Sequence, residues 1–497
     1  MRIELDPQSI ESYRQFLAIK SLPSYRFIGR SAIFPDCYAK RLGLEIPAPS
    51  SADYTPISGL FDYQLAIIKV AIDKHKYCVF ADCGLGKTII ITEFARYVQS
   101  VLPNNLCILI ISPLMVVPQT LREVERFYQD TLPIEHVRSS NLSNWLNGER
   151  QHRIGIVNYD ALKTDIRPGD LGSLILDESS MLKSHYGKFG TKCLDLGRGL
   201  DYKLACTGTP APNDRIEFAN HAVFMDAFPT VNSFLARFFV NRGQTSERWE
   251  IKPHAIKPFY RALSDWSIFL TNPAVYGWHD NTNNIPPINV HVEDVAMTVE
   301  QRTIMQDHSG HLFTPSSGGI TNRSKLSQLG KGFHKGTKIK TNKIDHIIAL
   351  LTSWPNESTI IWCLYNAEQE RLAKALPEAE SITGSTPIDK RIESIERFKS
   401  GQTKTLISKP KILGFGLNLQ IATRQIFSGL QDSYESFYQA VKRSNRYGST
   451  LPLNVHIPVT DLEKPMIETV LRKAQRVIAD TEEQERIFKD ASEYHNA

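Results

Sequence analysis

An apolar run at Tyr77–Ala81 leads directly into Asp82, Cys83, Gly84, Leu85, Gly86, Lys87 and Thr88, and then into residues of helical periodicity that continue through Val98. This one passage restricts the fold more than any other part of the chain. A short strand that turns through two glycines into a helix aims several backbone N–H groups, and the positive end of the helix, at one point in space. That geometry suits an anion, and it occurs in parallel α/β sheets in which each strand feeds a covering helix. Ala81 stands where the wider phosphate-binding pattern has its first glycine, so only the second half of the pattern is strict. Gly84, Leu85 and Gly86 would wrap the phosphates, Lys87 would neutralise the β- and γ-phosphates, and Thr88 would ligate Mg²⁺. The expected ligands are therefore ATP and Mg²⁺.

Further apolar runs at Leu106–Ile111, Arg153–Asn158, Ser173–Leu176 and Lys203–Thr207 alternate with amphipathic segments, which predicts a parallel sheet with helices on both faces. The run at Leu174–Leu176 ends in Asp177 and Glu178. Two adjacent carboxylates at the end of a buried strand are costly unless a cation or a reaction requires them. Asp177 is placed to hold Mg²⁺ through water, and Glu178 to orient and deprotonate an attacking water. Ahead of the first strand, the amide of Gln64 could read an adenine edge, and Phe61 or Tyr63 could stack on the ring.

A chain of 497 residues exceeds one core. Composition shifts suggest a small N-terminal accessory element over 1–55, a first lobe over 56–230 and a helical, aromatic-rich extension over 231–287. A second α/β lobe would follow over 288–460, and a C-terminal helix over 461–497. Within the first element, Ile10, Tyr13, Phe16 and Leu17 recur at helical spacing, and the proline-rich stretch 46–56 reads as a linker. Strands of the second lobe are expected at Ile288–Val295, Thr359–Leu364, Thr405–Ser408 and Gln425–Phe427. The dense aromatics between Phe218 and Phe269 read as core. Seven cysteines form no CxxC pair, which argues against a zinc site and suits a reducing compartment. No apolar run reaches membrane length, and the residues after Met1 do not resemble a signal peptide, so a cytoplasmic location and no membrane partner are expected. The net charge of +5 decides little by itself. Locally, no carboxylate lies between His308 and Ile344, while Arg323, Lys325, Lys331, Lys335, Lys338, Lys340 and Lys343 do. Charge alone leaves a solvated loop and a phosphate-binding track equally open.

Taken in order, the motifs resemble those of the superfamily 2 helicases and translocases, most closely the Swi/Snf-like branch. Phe61–Gln64 matches the Q-motif, Asp82–Thr88 motif I, Ile110–Leu114 motif Ia, and Asp177–Ser180 the DEAH-like box. Cys206–Asn213 is similar to motif III. The segment of Ile285, Pro286 and Pro287 with Gln301 resembles the family's opening to its second lobe, and Thr383–Thr386 with Arg391 and Phe398 its Gly-Ser-Thr turn. Gly414–Asn418 resembles motif V, and Tyr438–Gly448 motif VI.

The resemblance implies two tandem RecA-like lobes that hydrolyse ATP between them. Arg443 and Arg446, read as lying on one helix face, would stabilise charge on the transferring phosphoryl group. Gln439 and Gly416 would border the nucleotide. Ser112, Pro113, Asn158, Lys183, Thr209, Ser408 and Lys409 would grip a DNA backbone, with Thr207 and Thr209 coupling that grip to the acidic box. Lys331, Lys335 and Lys338 would extend the contact. One departure is Ser180, where a histidine is frequent, which puts the link between acidic box and motif III in doubt. The compact size is similar to phage and bacterial members acting on forked or branched DNA, which implies branch migration in DNA repair or recombination. Competing readings are an RNA helicase, a nucleic-acid-independent ATPase switch, and the motor of a restriction-type complex whose nuclease lies on another subunit.

Overall fold

The computed structural model describes residues 1–44, 51–183, 187–243, 248–279, 285–308, 320–413, 417–430, 433–446 and 448–495. Contacts group them into two units, Met1–Asp280 with Ala479–Ala497, and Asn281–Ile478.

The first unit is built on a seven-stranded parallel sheet. In spatial order its strands are Ser267–Leu270, Lys76–Ala81, Tyr202–Cys206, Leu171–Asp177, Cys107–Ser112, Ile154–Asn158 and Ile134–His136. Strands covered on both faces must be apolar throughout, and Cys107–Ser112 and Leu171–Asp177 bury every residue. Alternate side chains feed two cores. Val79, Ala81, Ile108, Ile110 and Ile175 meet the helices Asp62–Lys74 and Lys87–Val101 on one face. Cys78, Phe80, Leu109, Ile111, Leu174 and Leu176 meet the aromatic segment on the other. There Phe218, Phe234, Phe238 and Phe259 pack edge to face at centroid separations of 5.4–5.9 Å, a geometry favoured by the ring quadrupoles.

The stretch expected to be a helical extension does more than cover the sheet. Ser267–Leu270 joins the first sheet beside Lys76–Ala81, with Ser267 opposite Cys78. Phe239–Asn241 and Trp249–Ile251 form a hairpin. Four residues are too few for a strand period to stand out from the surrounding aromatics.

At the N-terminus, Ser9 caps the helix Ile10–Ser21 beside an antiparallel sheet of Arg2–Glu4, Ser31–Ile33 and Arg26–Ile28. The helix follows the expected spacing, but most of its stripe is not the core face: Ile10 is 75% exposed and Tyr13 61%, with Leu17 also exposed, while Phe16 is half-buried against Phe27. Docking falls instead to Ile19, Leu22, Ala32, Phe34 and Tyr38, which are buried in the first unit's core. Arg41 closes the junction on Asp265 at 2.5 Å. Residues 45–50, which include the first part of the expected linker 46–56, lie outside the described residues; the rest is not a free linker, since Ser51 bonds Asp73 and Tyr54 is buried against Glu93.

The second unit carries a six-stranded parallel sheet in the order Ile288–Asp294, Leu453–Val459, Arg424–Phe427, Thr359–Trp362, Thr405–Ser408 and Glu380–Ser381. Leu453–Val459 was not expected, because His456 and Pro458 interrupt its apolar run. Arg391 holds the Thr383–Thr386 turn by donating to the carbonyls of Gly384 and Thr386 at 2.6 and 2.7 Å.

The basic stretch 308–344 is a correction. Residues 309–319 lie outside the described residues, but the remainder contains the helix Ile320–Gly330 and a hairpin of Phe333–His334 with Thr337–Lys338. It lacks carboxylates in sequence but not in space. Glu463, at the foot of the helix Lys464–His495, meets Lys331 at 2.5 Å and Lys343 at 2.6 Å, with all three side chains at most 2% exposed. Lys331 is therefore a neutralised core cation and no candidate for DNA contact. Lys335 and Lys338 are exposed on the hairpin.

Burial opposes ionisation of Glu463, but the two ammonium groups override it and hold its carboxyl down to about 2. Burial pushes Lys343 down to about 8 despite Glu463. Glu463→Gln leaves two buried cations without the carboxylate that pairs them and should cost about 3–5 kcal/mol in urea unfolding at pH 7. Because the folded carboxyl titrates below its unfolded value, its contribution is present above about pH 4.5 and lost as pH falls towards 2. Melts across that window should show this loss in the wild type and not in the variant.

Candidate active site

The strand order places Lys76–Ala81 and Leu171–Asp177 on either side of Tyr202–Cys206. The glycine turn, the acidic pair and Thr207 therefore leave the sheet at the same edge, where parallel α/β sheets bind ligands.

In the glycine turn, Gly84 and Gly86 have φ of 92° and 73°, and Gly86 caps the helix that begins at Lys87. A Cβ on Gly86 would fall 2.2 Å from Gln64 Nε2, so a larger residue would displace that amide and sit in a strained left-handed conformation. Gln64 is a buttress. Its Oε1 accepts from the Phe61 amide at 3.0 Å, and its Nε2 donates to the carbonyl of Leu85 at 3.5 Å. The Tyr63 hydroxyl donates to the same carbonyl at 3.3 Å. Tyr63 is fully buried and stacks on Phe61, with ring centroids 5.7 Å apart. It therefore supports the turn rather than an adenine, and of the two rings only Phe61 is partly open. Leu85 is buried beneath the turn.

Lys87 Nζ donates to the carbonyls of Ala81 at 3.0 Å and Asp82 at 3.2 Å. Burial works against its charge, but Cys83, Glu178, Asp82 and Asp177 outweigh burial and raise its pKa above the usual lysine value. Thr88, half-buried, follows it.

Asp177 and Glu178 are 7% and 6% exposed. Ser112 donates to Asp177 Oδ2 at 2.8 Å, the Tyr159 hydroxyl donates to the Asp177 carbonyl at 2.8 Å, and Thr207 donates to Glu178 Oε2 at 3.3 Å. Glu178 itself lies in the left-handed region, φ 49° and ψ 53°, a conformation that costs a residue with a side chain about 1–3 kcal/mol. Burial and the neighbouring Glu178 push Asp177 up to about 6, against the opposing effects of Ser112 and Lys87. A divalent cation would reverse that balance. Thr88 and Asp177 are the residues that would hold Mg²⁺, which binds few carboxylates and completes its shell with water and phosphate. A donor set of one carboxylate and one hydroxyl suits Mg²⁺ bound together with a nucleotide.

Other expected site residues divide. Ser112 is fully buried and spends its hydroxyl on Asp177, and Ser408 is fully buried and donates to the carbonyl of Ile382 at 2.9 Å. Neither hydroxyl is offered to a phosphate. Asn158 is half-buried and accepts from the Asp160 amide at 2.8 Å, and Lys409 donates to Asn366. Pro113 and Lys183 are half-buried, while Thr209 is buried with its amide donating to Thr207 Oγ1 at 3.2 Å. Arg443 and Arg446 do not share a helix face. The helix Tyr434–Val441 ends before them, in a turn where the amides of Ser444 and Asn445 bond the Val441 carbonyl. Arg443 is buried and donates to the Gln439 carbonyl at 3.1 Å, and Arg446 is half-exposed. Gln439 is buried. Gly416 lies outside the described residues. Sequence reasoning gave no role to Tyr159, although the segment Val157–Asp160 resembles a strand-end motif of the family, and missed Asn220 and His221; all three hold the acidic turn from behind.

Residues 63–342 match the SNF2-related domain, more than half of the chain, and residues 342–448 match the helicase conserved C-terminal domain. The chain belongs to the SNF2-related family. A curated protein of Bacillus subtilis (strain 168), named "Putative ATP-dependent helicase/translocase YwqA", is 23% identical over 419 residues, 77% of this chain and 44% of its own length. The SNF2-related chain thus spans less than half of that relative. A solved structure, "Sulfolobus solfataricus SWI2/SNF2 ATPase core in complex with dsDNA", aligns over 89% of this chain and 97% of its own, at 18% identity and a TM-score of 0.39. As expected for the Swi/Snf-like branch of superfamily 2, the SNF2-related chain has two parallel-sheet α/β units. No helix among its described residues is long and apolar enough to cross a membrane.

The raised Asp177 makes a stability prediction. A carboxyl whose folded value exceeds its unfolded value destabilises the ligand-free protein increasingly as pH rises from about 4 to about 6, and by a constant amount above that. Asp177→Asn should therefore raise the melting temperature of the nucleotide-free protein at pH 8 by a few degrees while abolishing ATP hydrolysis. Differential scanning calorimetry and a phosphate-release assay check the two halves separately.

Proposed function

We propose that this SNF2-related chain is a DNA-dependent ATPase that uses hydrolysis to translocate on duplex DNA and remodel forks or junctions. The observation that carries the reading is the buried pair Asp177–Glu178, held by Ser112 and Thr207 at the same sheet edge as the Lys87–Thr88 turn. Burying two adjacent carboxylates is unfavourable in a resting protein and becomes useful when phosphates and a cation arrive.

In this reading the glycine turn binds the triphosphate, and Lys87 adds a cation to its β- and γ-oxygens. Glu178 accepts a proton from the attacking water. Mg²⁺, held by Thr88 and Asp177, would supply charge neutralisation at the phosphates. Thr207, bonded to Glu178, and Thr209, bonded to Thr207, form a short path by which the state of the acidic site biases a contact with a nucleic-acid backbone. Pro113, Asn158, Lys183, Thr209 and Lys409 remain candidates for that backbone, with Lys335 and Lys338 on the exposed hairpin; such contacts carry no sequence information. DNA rather than RNA is favoured by the Swi/Snf-like motif set.

The test is the ATPase rate with no nucleic acid, single-stranded DNA, linear duplex, a four-way junction and RNA. Duplex or junction should stimulate most, with affinity falling steeply as salt rises. Glu178→Gln should retain ATP binding and lose about a hundredfold or more in turnover. Stimulation by RNA alone would replace this reading with an RNA helicase, and a rate indifferent to every nucleic acid would replace it with an ATPase switch.

A further inference from the structure

Glu178 has to be held in a conformation it would otherwise leave, and the hold comes from a helix that no motif marks. Past Glu178 the chain makes one turn of 3-10 helix, Ser179–Leu182. Both ends of that turn are gripped by consecutive residues of the helix Phe218–Phe224. Ser179 Oγ and His221 Nε2 share a hydrogen bond at 3.0 Å, and Asn220 Nδ2 donates to the Leu182 carbonyl at 2.6 Å. Ser179 and His221 are both fully buried, so neither can exchange this partner for bulk water. His221 packs edge-on against Phe80, with centroids 5.3 Å apart at 88°, and Phe80 belongs to the strand that delivers the glycine turn.

We infer that His221 is a positioning residue for ATP hydrolysis, fixing the backbone of Glu178 through Ser179 and tying the acidic turn to the phosphate-binding strand. The inference rests on the ATPase reading above and deepens it. The imidazole reaches this turn from the helix that follows the Thr207–Asn213 segment. His221 touches no reacting group. It acts through Ser179, one residue from Glu178, and burial keeps its ring neutral, at about 4. A neutral ring suits a fixed hydrogen bond that should not switch as pH changes near neutrality.

Loss of the bond should let Glu178 relax from its left-handed conformation, shifting its carboxylate relative to the attacked phosphorus without altering the glycine turn. The expected signature is a split between turnover and binding. In the full chain, His221→Phe keeps the ring volume and removes the hydrogen bond; it should lower kcat by about tenfold to a hundredfold. The KM for ATP and the affinity for a fluorescent ATP analogue should stay near wild type, while the melting temperature falls only by the few degrees expected of one unpaired buried hydroxyl. His221→Gln, whose amide can reach the same hydroxyl, should recover most of the turnover. Ser179→Ala is a small change that does not threaten folding. It should reproduce the loss, and the double variant His221→Phe with Ser179→Ala should lose no more than either alone. An unchanged kcat in Ser179→Ala, an equal loss of nucleotide binding, or additive losses in the double variant would each overturn the inference. A wild-type chain that binds but does not hydrolyse ATP would instead overturn the ATPase reading itself, so the two failures are separable.

Discussion

Two buried carboxylates side by side are the constraint around which the first unit is arranged. Asp177 and Glu178 end a strand that is buried along its whole length, in a part of the molecule poorly able to solvate charge. The surroundings read as a response. Ser112 comes from the next strand on one side, and Thr207 from the end of the strand on the other. Lys87 brings a cation whose charge these same acids help to maintain. The residual cost is seen in the raised Asp177 and in the strained backbone of Glu178. Strain of this kind persists only where neighbours over-determine it, and Tyr159, Asn220 and His221 do so from behind.

The second unit poses a similar problem with a different solution. Glu463 is as buried as the catalytic candidates, but two lysines neutralise it and hydrogen bonds from Thr460 fill its remaining lone pairs. That arrangement is satisfied and closed, so it reads as structure. The acidic pair of the first unit is only partly satisfied, so it reads as a site. The comparison is useful because both clusters lie at strand or helix ends and both contain Lys and Glu.

Much of the site was legible because its residues are consecutive. Asp82–Thr88 and Asp177–Glu178 declare their chemistry through residue type and through the strand each terminates, and the aromatic stretch announced itself as core by density. Other parts were misread for identifiable reasons. Lys331 and Lys343 looked like surface cations because their carboxylate lies more than a hundred residues away in the chain. Tyr63 and Ser112 have the right chemistry to touch ligand, but their side chains turn inward. The stripe of Ile10, Tyr13, Phe16 and Leu17 identified a helix without revealing that Ile19 and Leu22, rather than the stripe, enter the core.

Local order along the chain therefore determined the fold class, the positions of most sheet strands and the family, since periodicity and short motifs are properties of neighbouring residues. Tertiary structure alone decided which side chains face one another. It made Gln64 a buttress, removed Lys331 from any nucleic-acid track, ended a helix before Arg443, and brought His221 from a stretch without a motif to the back of the acidic turn. The physical reason is that hydrogen bonds and ion pairs act over a few ångströms, while the residues that make them here are separated by tens to hundreds of positions in sequence.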